Sequence, residues 1–188
     1  MAAKDRRVVK TLRCIDNACW SLMQEKDFTE ITIQDIVDRA EINRATFYRY
    51  YKDKYDWMEK KIQERMQEIH DISMTLFASE SLEEMAVSEG ALVKHFDTNF
   101  STYSILLNNK GTAMFREELV NLLLDVKYKL HAKTASQAPL TDFRFHYGIS
   151  SFVGVIVWWI KNDRPLSVEQ LAQEIFAVHL KLQWFERE

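Results

Sequence analysis

Residues 32–54 read TIQDIVDRAEINRATFYRYYKDK, and this stretch decides the fold. Thr32 stands before an apolar face of Ile33, Ile36, Val37 and Ala40, with Asp35 three residues behind it. That is capping-box spacing, so a short helix opens at Thr32. Glu41-Ile42 makes a turn, and Asn43 caps a further helix predicted over about Arg44–Tyr51, which Lys52-Asp53 closes. Upstream, Val8, Leu12, Ile15, Cys19 and Leu22 alternate at spacings of 4 and 3. They form one apolar stripe of a helix from about Asp5 to Gln24, ended by Lys26-Asp27-Phe28 with Phe28 packing beneath. A packing helix followed by two short helices across a three-residue turn is a helix-turn-helix.

The third helix has two sides. At about 100° per residue, Phe47 and Tyr51 fall together on the core side, while Arg44, Tyr48, Ala45 and Arg49 spread over the adjoining arc of about 140°. Two arginines, a tyrosine and one small residue on an exposed arc suit a DNA major groove. Arg can fork onto guanine, Ala leaves space for a thymine methyl, and Tyr donates to phosphate. Lys4, Arg6, Arg7, Lys10 and Arg13 either extend this contact to phosphates and the adjacent minor groove or form only a charged helix start.

The segment Ile33-Gln34-Asp35-Ile36-Val37-Asp38-Arg39-Ala40, then Ile42-Asn43, Thr46-Phe47-Tyr48 and Tyr50-Tyr51-Lys52-Asp53-Lys54, closely resembles the tetracycline-repressor (TetR) family of bacterial regulators. The resemblance covers about residues 8–58. It implies that Thr32, Asn43, Thr46, Tyr48, Tyr50 and Lys54 hold phosphates and that Gln34, Arg44 and Ala45 face bases. It also implies a variable ligand domain and a dimer in which the last two long helices pair with their symmetry mates. Two positions depart from the family pattern: Glu41 where Gly is usual, and Tyr51 where Phe is usual.

Composition agrees with an all-α chain. Only four Gly and two Pro occur in 188 residues, far below the average share of turn-forming residues. Gly90, Gly111, Gly148 and Gly154 form neither a dinucleotide fingerprint nor a phosphate loop, which excludes enzymes built on those loops. Residues 1–61 carry a net charge of +2 and residues 62–188 a net −5, a mildly basic head on an acidic body. Met1–Arg13 lacks the apolar core of a signal peptide, and the longest apolar run, Ile149–Ile160, is too short to span a bilayer. Cys14 and Cys19 fall about 140° apart around a helix, so they are core residues rather than a disulfide. A cytoplasmic protein is expected.

Beyond Lys54 the chain reads as further helices over about Lys54–Leu76, Leu82–Asn99, Tyr103–Asn108, Ala113–Lys133, Leu140–Lys161 and Val168–Glu186. Ser167 and Gln170 make a second capping box after Pro165. The expected architecture is about nine helices: a helix-turn-helix DNA-binding domain over 1–53, continuous with a helical ligand-binding and dimerisation bundle over 54–188. The helix around Ile149–Ile160 is apolar on nearly every face, including Trp158 and Trp159, and a helix of that kind must be covered all round. It lies either at a dimer interface, which these tryptophans would line, or wholly inside its own core.

Candidate ligand contacts are the aromatic or polar residues within apolar helices: His95, Phe96, Phe100, Tyr103, Met114, Phe115, Phe145, His146 and Phe152. His95 and His146 stand out because an imidazole among apolar neighbours needs a partner. No two histidines are three or four apart, so no metal site and no cofactor is expected. The leading function is a homodimeric repressor that binds double-stranded DNA and is released by a small molecule. The alternatives are the same fold acting as an activator or co-regulator through a protein partner, and an all-helical enzyme for which no motif is present.

Overall fold

The computed structural model describes residues 6–78, 81–108, 115–131 and 139–183, and every regular element among them is helical. In chain order these are α1 (Arg6–Glu25), a 3-10 turn (Phe28–Glu30), α2 (Ile33–Arg39), α3 (Arg44–Tyr48) and α4 (Lys54–Phe77). Then come α5 (Leu82–Thr98), α6 (Phe100–Asn108), α7 (Phe115–His131), α8 (Pro139–Lys161) and α9 (Val168–Gln183). The chain divides into two compact units, and the division falls inside α4, between Gln63 and Glu64.

In the first unit, α1 buries Ile15, Ala18, Cys19, Leu22 and Met23 on the face its periodicity marks. Phe28, Ile31, Ile36, Val37 and Phe47 complete that core. Burial pushes the Cys19 thiol well above its ordinary range, as suits an inert core residue. Trp57 on α4 is fully buried, meets Trp20 edge-on at 5.0 Å and donates its indole N–H to Asp16 at 2.8 Å. The ammonium of Lys61 holds the other Asp16 oxygen at 2.9 Å, so α1 and α4 are joined by a satisfied polar pair. The Arg39 guanidinium ties α2 to α1, donating to both oxygens of Glu25 at 2.8 Å and to Ser21 at 2.6 Å.

The turn between α2 and α3 is a left-handed cap. Glu41 N–H donates to Asp38 and Ile42 N–H to Val37, with Glu41 at φ 54°. This is the Schellman arrangement, which favours glycine at the left-handed position. A residue with a Cβ there is strained by about 1–2 kcal/mol. Glu41→Gly relieves that strain, partly offset by the entropy glycine adds to the unfolded chain, and should stabilise by about 0.5–1 kcal/mol. Thermal melts check it: an unchanged or lower melting temperature means the turn stores no such strain.

α3 is shorter than its sequence pattern suggests. Regular helix stops at Tyr48 because the chain tightens, with Tyr50 N–H donating to Phe47 rather than one residue further back. Tyr51 nevertheless stays buried beside Phe47, at 5.6 Å between rings, so the inner face is kept. Asp53 then accepts from Asp56 N–H at 2.8 Å, and the Asp56 carboxylate accepts from Lys52 N–H at 2.8 Å, which fixes the start of α4.

In the second unit α5 packs along α9 and α7 along α8. Leu92, Val93, Phe96, Tyr103, Phe115, Leu119, Leu123, Val153, Ile156 and Leu171 are all buried. A second left-handed turn ends α8 at Asp163 and Arg164, and the Ser167–Gln170 capping box opens α9. The two tryptophans of α8 part company here. Trp159 is enclosed within the chain's own core, 1% exposed, with its indole N–H on the Leu166 carbonyl at 2.8 Å. Trp158 is 47% exposed. Trp159 therefore belongs to the core and is withdrawn as an interface residue.

Candidate functional site

The surface of the helix-turn-helix is assembled by caps. Thr32 accepts from Asp35 N–H at 3.1 Å, and its own N–H and hydroxyl donate to the Asp35 carboxylate at 2.7 and 2.8 Å. Lys26 and Thr32 bonded to that carboxylate hold it far below the usual range, so it remains an anion that organises the α2 N-terminus. Asn43 does the same for α3, accepting from Thr46 N–H at 2.8 Å and from its hydroxyl at 2.9 Å. Caps of this kind aim free N–H groups and a partial positive charge outwards, which suits phosphate.

Beyond the Asn43 cap, Arg44, Ala45, Tyr48 and Arg49 are all exposed, while Phe47 is fully buried. Arg44 rests lightly on Tyr48, with 3.4 Å from guanidinium to phenol oxygen and 6.0 Å to the ring centre. Gln34 is exposed on α2 and donates to Asp38 at 2.7 Å. Tyr50 is half-buried. Thr32, Gln34, Asn43, Arg44, Ala45, Thr46, Tyr48 and Arg49 therefore lie on or beside the two short helices.

Lys54 differs. Its ammonium donates to the carbonyls of Phe28, Thr29 and Ile31 at 2.8, 2.9 and 2.7 Å, between the rings of Phe28 and Tyr55. An ammonium has three protons, and all three are accounted for. Burial draws its pKa below the ordinary lysine value. Lys54 is thus a bracket between α4 and the turn that precedes α2, and its assignment to phosphate is corrected. Lys4 lies outside the described residues; Arg6, Lys10 and Arg13 stand exposed on α1.

The ligand candidates do not form one site. His95, Phe96, Tyr103 and Phe115 do meet: His95 Nε2 is 2.7 Å from the Tyr103 hydroxyl, and the Tyr103 ring lies 4.7 Å from Phe96 and 5.8 Å from Phe115. The nearest partner of His95 is the buried phenol at 2.7 Å, with Glu68 at 3.9 Å, and burial lowers the His95 pKa. Phe100 is elsewhere, under the Arg164 guanidinium at 3.9 Å. Phe145 packs edge-on to Tyr128 at 5.4 Å. His146 is exposed beside Asp142, because α8 turns it outward rather than among apolar neighbours. Phe152 is buried, and Met114 lies outside the described residues. Sequence reasoning passed over Asp16, Trp57, Arg39, Glu89 and His179, whose partners are distant in the chain and leave no periodic signal.

Among the described residues no three His, Cys, Asp or Glu side chains converge on a metal position, and no helix is long and apolar enough to cross a membrane. Residues 16–59 match the family profile described as "Bacterial regulatory proteins, tetR family". Residues 90–180 match one described as "Transcriptional regulator C-terminal region". The uncharacterized HTH-type transcriptional regulator YxbF of Bacillus subtilis (strain 168) is 28% identical over 173 residues, 90% of this chain. The chain spans 44% of that relative's length. A TetR transcriptional regulator from Streptococcus agalactiae 2603V superposes with a TM-score of 0.60 at 29% identity, over 93% of this chain and 96% of that one. A TetR-family regulator from Syntrophomonas wolfei str. Goettingen gives 0.70 at 17% identity, over 94% and 96%. With one family profile on the helix-turn-helix and the other on the helical body, the chain belongs to the TetR family of DNA-binding transcriptional regulators, which are not enzymes.

Proposed function

We propose that the protein is a homodimeric, cytoplasmic repressor that a small-molecule effector releases from its operator. The observation that carries the reading is the exposed arc of Arg44, Ala45, Tyr48 and Arg49 on a helix fixed by the Asn43 cap. In a dimer, two such arcs enter successive major grooves about 34–36 Å apart. An effector bound in the body displaces α4, the helix that runs through both units, and takes the reading helices off that spacing. In this reading Thr32, Asn43, Thr46, Tyr48 and Tyr50 position the duplex, while Gln34, Arg44 and Ala45 face bases.

Arg44 tests it. At the helix N-terminus it reaches deepest into the groove, so Arg44→Ala should cost about 1–3 kcal/mol at the operator and much less on random duplex. Titrations of parent and variant on the flanking genomic DNA and on random DNA measure both. Equal losses on the two DNAs would make Arg44 a phosphate clamp and remove the assignment of the groove-facing arc. Parent protein with no preference for the flanking DNA would remove the repressor reading itself.

A further inference from the structure

Two polar atoms of the second unit are buried with no hydrogen-bond partner among the described residues: Ser73 Oγ on α4 and Glu89 Oε2 on α5. Ser73 is 0% and Glu89 3% exposed. The other Glu89 oxygen lies 2.5 Å from Nδ1 of His179 on α9. One side of the carboxylate is thus held and the other is bare, an arrangement that native interiors rarely keep without a use for it.

Ser73 and Glu89 stand at about the same level along the axes of α4 and α5. α4 and α5 run antiparallel, since Arg65 donates to Asn99 at 2.9 Å and Glu68 lies 3.9 Å from His95. Counting on from those pairs, the position opposite Ser73 is about residue 90 or 91, so Glu89 is within about 3 Å of it along the axis at about 1.5 Å per residue. Around that level the other buried residues among those described on both helices are apolar: Ile69 and Leu76 on α4, Leu92 and Val93 on α5.

We infer that Ser73 and Glu89 hold the polar end of the effector, and that this end is a hydrogen-bond donor, an alcohol or a primary ammonium, on an apolar body. The inference rests on the effector-released reading above. Glu89 Oε2 only accepts, so the ligand must donate to it. The Ser73 hydroxyl can donate to an alcohol oxygen or accept from an ammonium, so both heads satisfy both groups. A carboxylate head would face Glu89 with a like charge and is rejected.

The test uses the full chain and three six-carbon probes, 1-hexanol, hexylammonium and hexanoate, measured by calorimetric titration and thermal melts without DNA and then by release of the chain from operator DNA. The expected result is binding of hexanol, hexylammonium or both, with hexanoate at least tenfold weaker; the first two arms separate an alcohol from an amine effector. Glu89→Gln presents an amide to the same position and should weaken the bound probe at least tenfold. Ser73→Ala should also weaken it, while melting no lower than the parent in the absence of probe. Equal binding of hexanoate, no binding of any probe, or probe affinities unchanged in both variants would each overturn the proposal. So would a Ser73→Ala protein that melts lower without probe, the mark of an enclosed water joining the two groups. A probe that binds through Ser73 and Glu89 yet leaves operator DNA bound supports this site and overturns effector release instead.

Discussion

Lys54→Met should melt well below the parent and leave the salt dependence of DNA binding unchanged. The ammonium joins three backbone carbonyls of residues 28–31 to the first turn of α4. Phe28 and Ile31 are buried, so losing the donor leaves acceptors that water reaches poorly. Hydrogen bonds from a charged donor contribute about 1.5–3 kcal/mol each. Partial exposure and relaxation reduce the sum, and a loss of about 2–4 kcal/mol is expected. The turn leads directly into the Thr32 cap of α2, so DNA affinity should also fall, through misplacement of α2 rather than a lost phosphate contact. Salt separates the two causes. A lysine that neutralises phosphate contributes about 0.9 to the slope of log affinity against log salt. Titrations of parent and Lys54→Met between 50 and 200 mM salt should therefore give parallel lines. A slope reduced by about one unit per subunit with an unchanged melting temperature would restore Lys54 to the phosphate contacts.

Lys54 also marks where the sequence ceased to be legible. Its identity and its place at the start of α4 were plain from the segment, but its partners are 23 to 26 residues back in the chain. Features decided within five residues could be read directly. The Thr32–Asp35 and Ser167–Gln170 capping boxes form as their spacing requires, and Glu41 takes left-handed angles where a three-residue turn demands them. Helical angles put Phe47 and Tyr51 on the buried side of α3 and turn Ala45 and Arg49 well away from them, whereas Arg44, only about 60° from Phe47, is exposed at the first turn beside the Asn43 cap. The body offered no such anchor. Periodicity marks His95, Phe96, Phe100 and Tyr103 as inward-facing without saying which helix they meet. Phe100 accordingly lies under Arg164 while the other three cluster with Phe115. Glu89 and His179 are 90 residues apart and pair only because α5 and α9 pack together. α8 is apolar nearly all round, so its sequence carries no direction; packing alone sends Trp159 inward and Trp158 outward.

Gly154→Glu and Trp158→Glu should each convert the proposed dimer to monomers that remain folded. Phe143, Tyr147, Gly154 and Trp158 fall within about 60° of one another around α8 at about 100° per residue. The three aromatic residues are 61%, 51% and 47% exposed, and Phe143 stacks on Tyr147 with ring centres 6.0 Å apart. Large apolar side chains aligned on one helix face mark a contact with another molecule. The small residues Ser150 and Gly154 between them let a second helix approach closely, as a symmetric pairing of identical helices requires. Gly154 makes the experiment clean. A Cβ built there meets nothing within 4 Å, so a side chain starts into open space, and replacing glycine improves local helix propensity. At a helix–helix interface the same carboxylate is buried without a partner, at a cost of several kcal/mol. Sedimentation velocity should give half the parent mass for both variants, with melting temperatures that no longer depend on protein concentration. Trp159→Glu should behave differently and lose the fold of the second unit, because that indole is enclosed within its own subunit. Operator affinity of the two monomeric variants should collapse, since one reading helix cannot span two half-sites, while the weak affinity for random DNA should change little. Should both variants sediment with the parent, the outward face of α8 is not where two subunits meet.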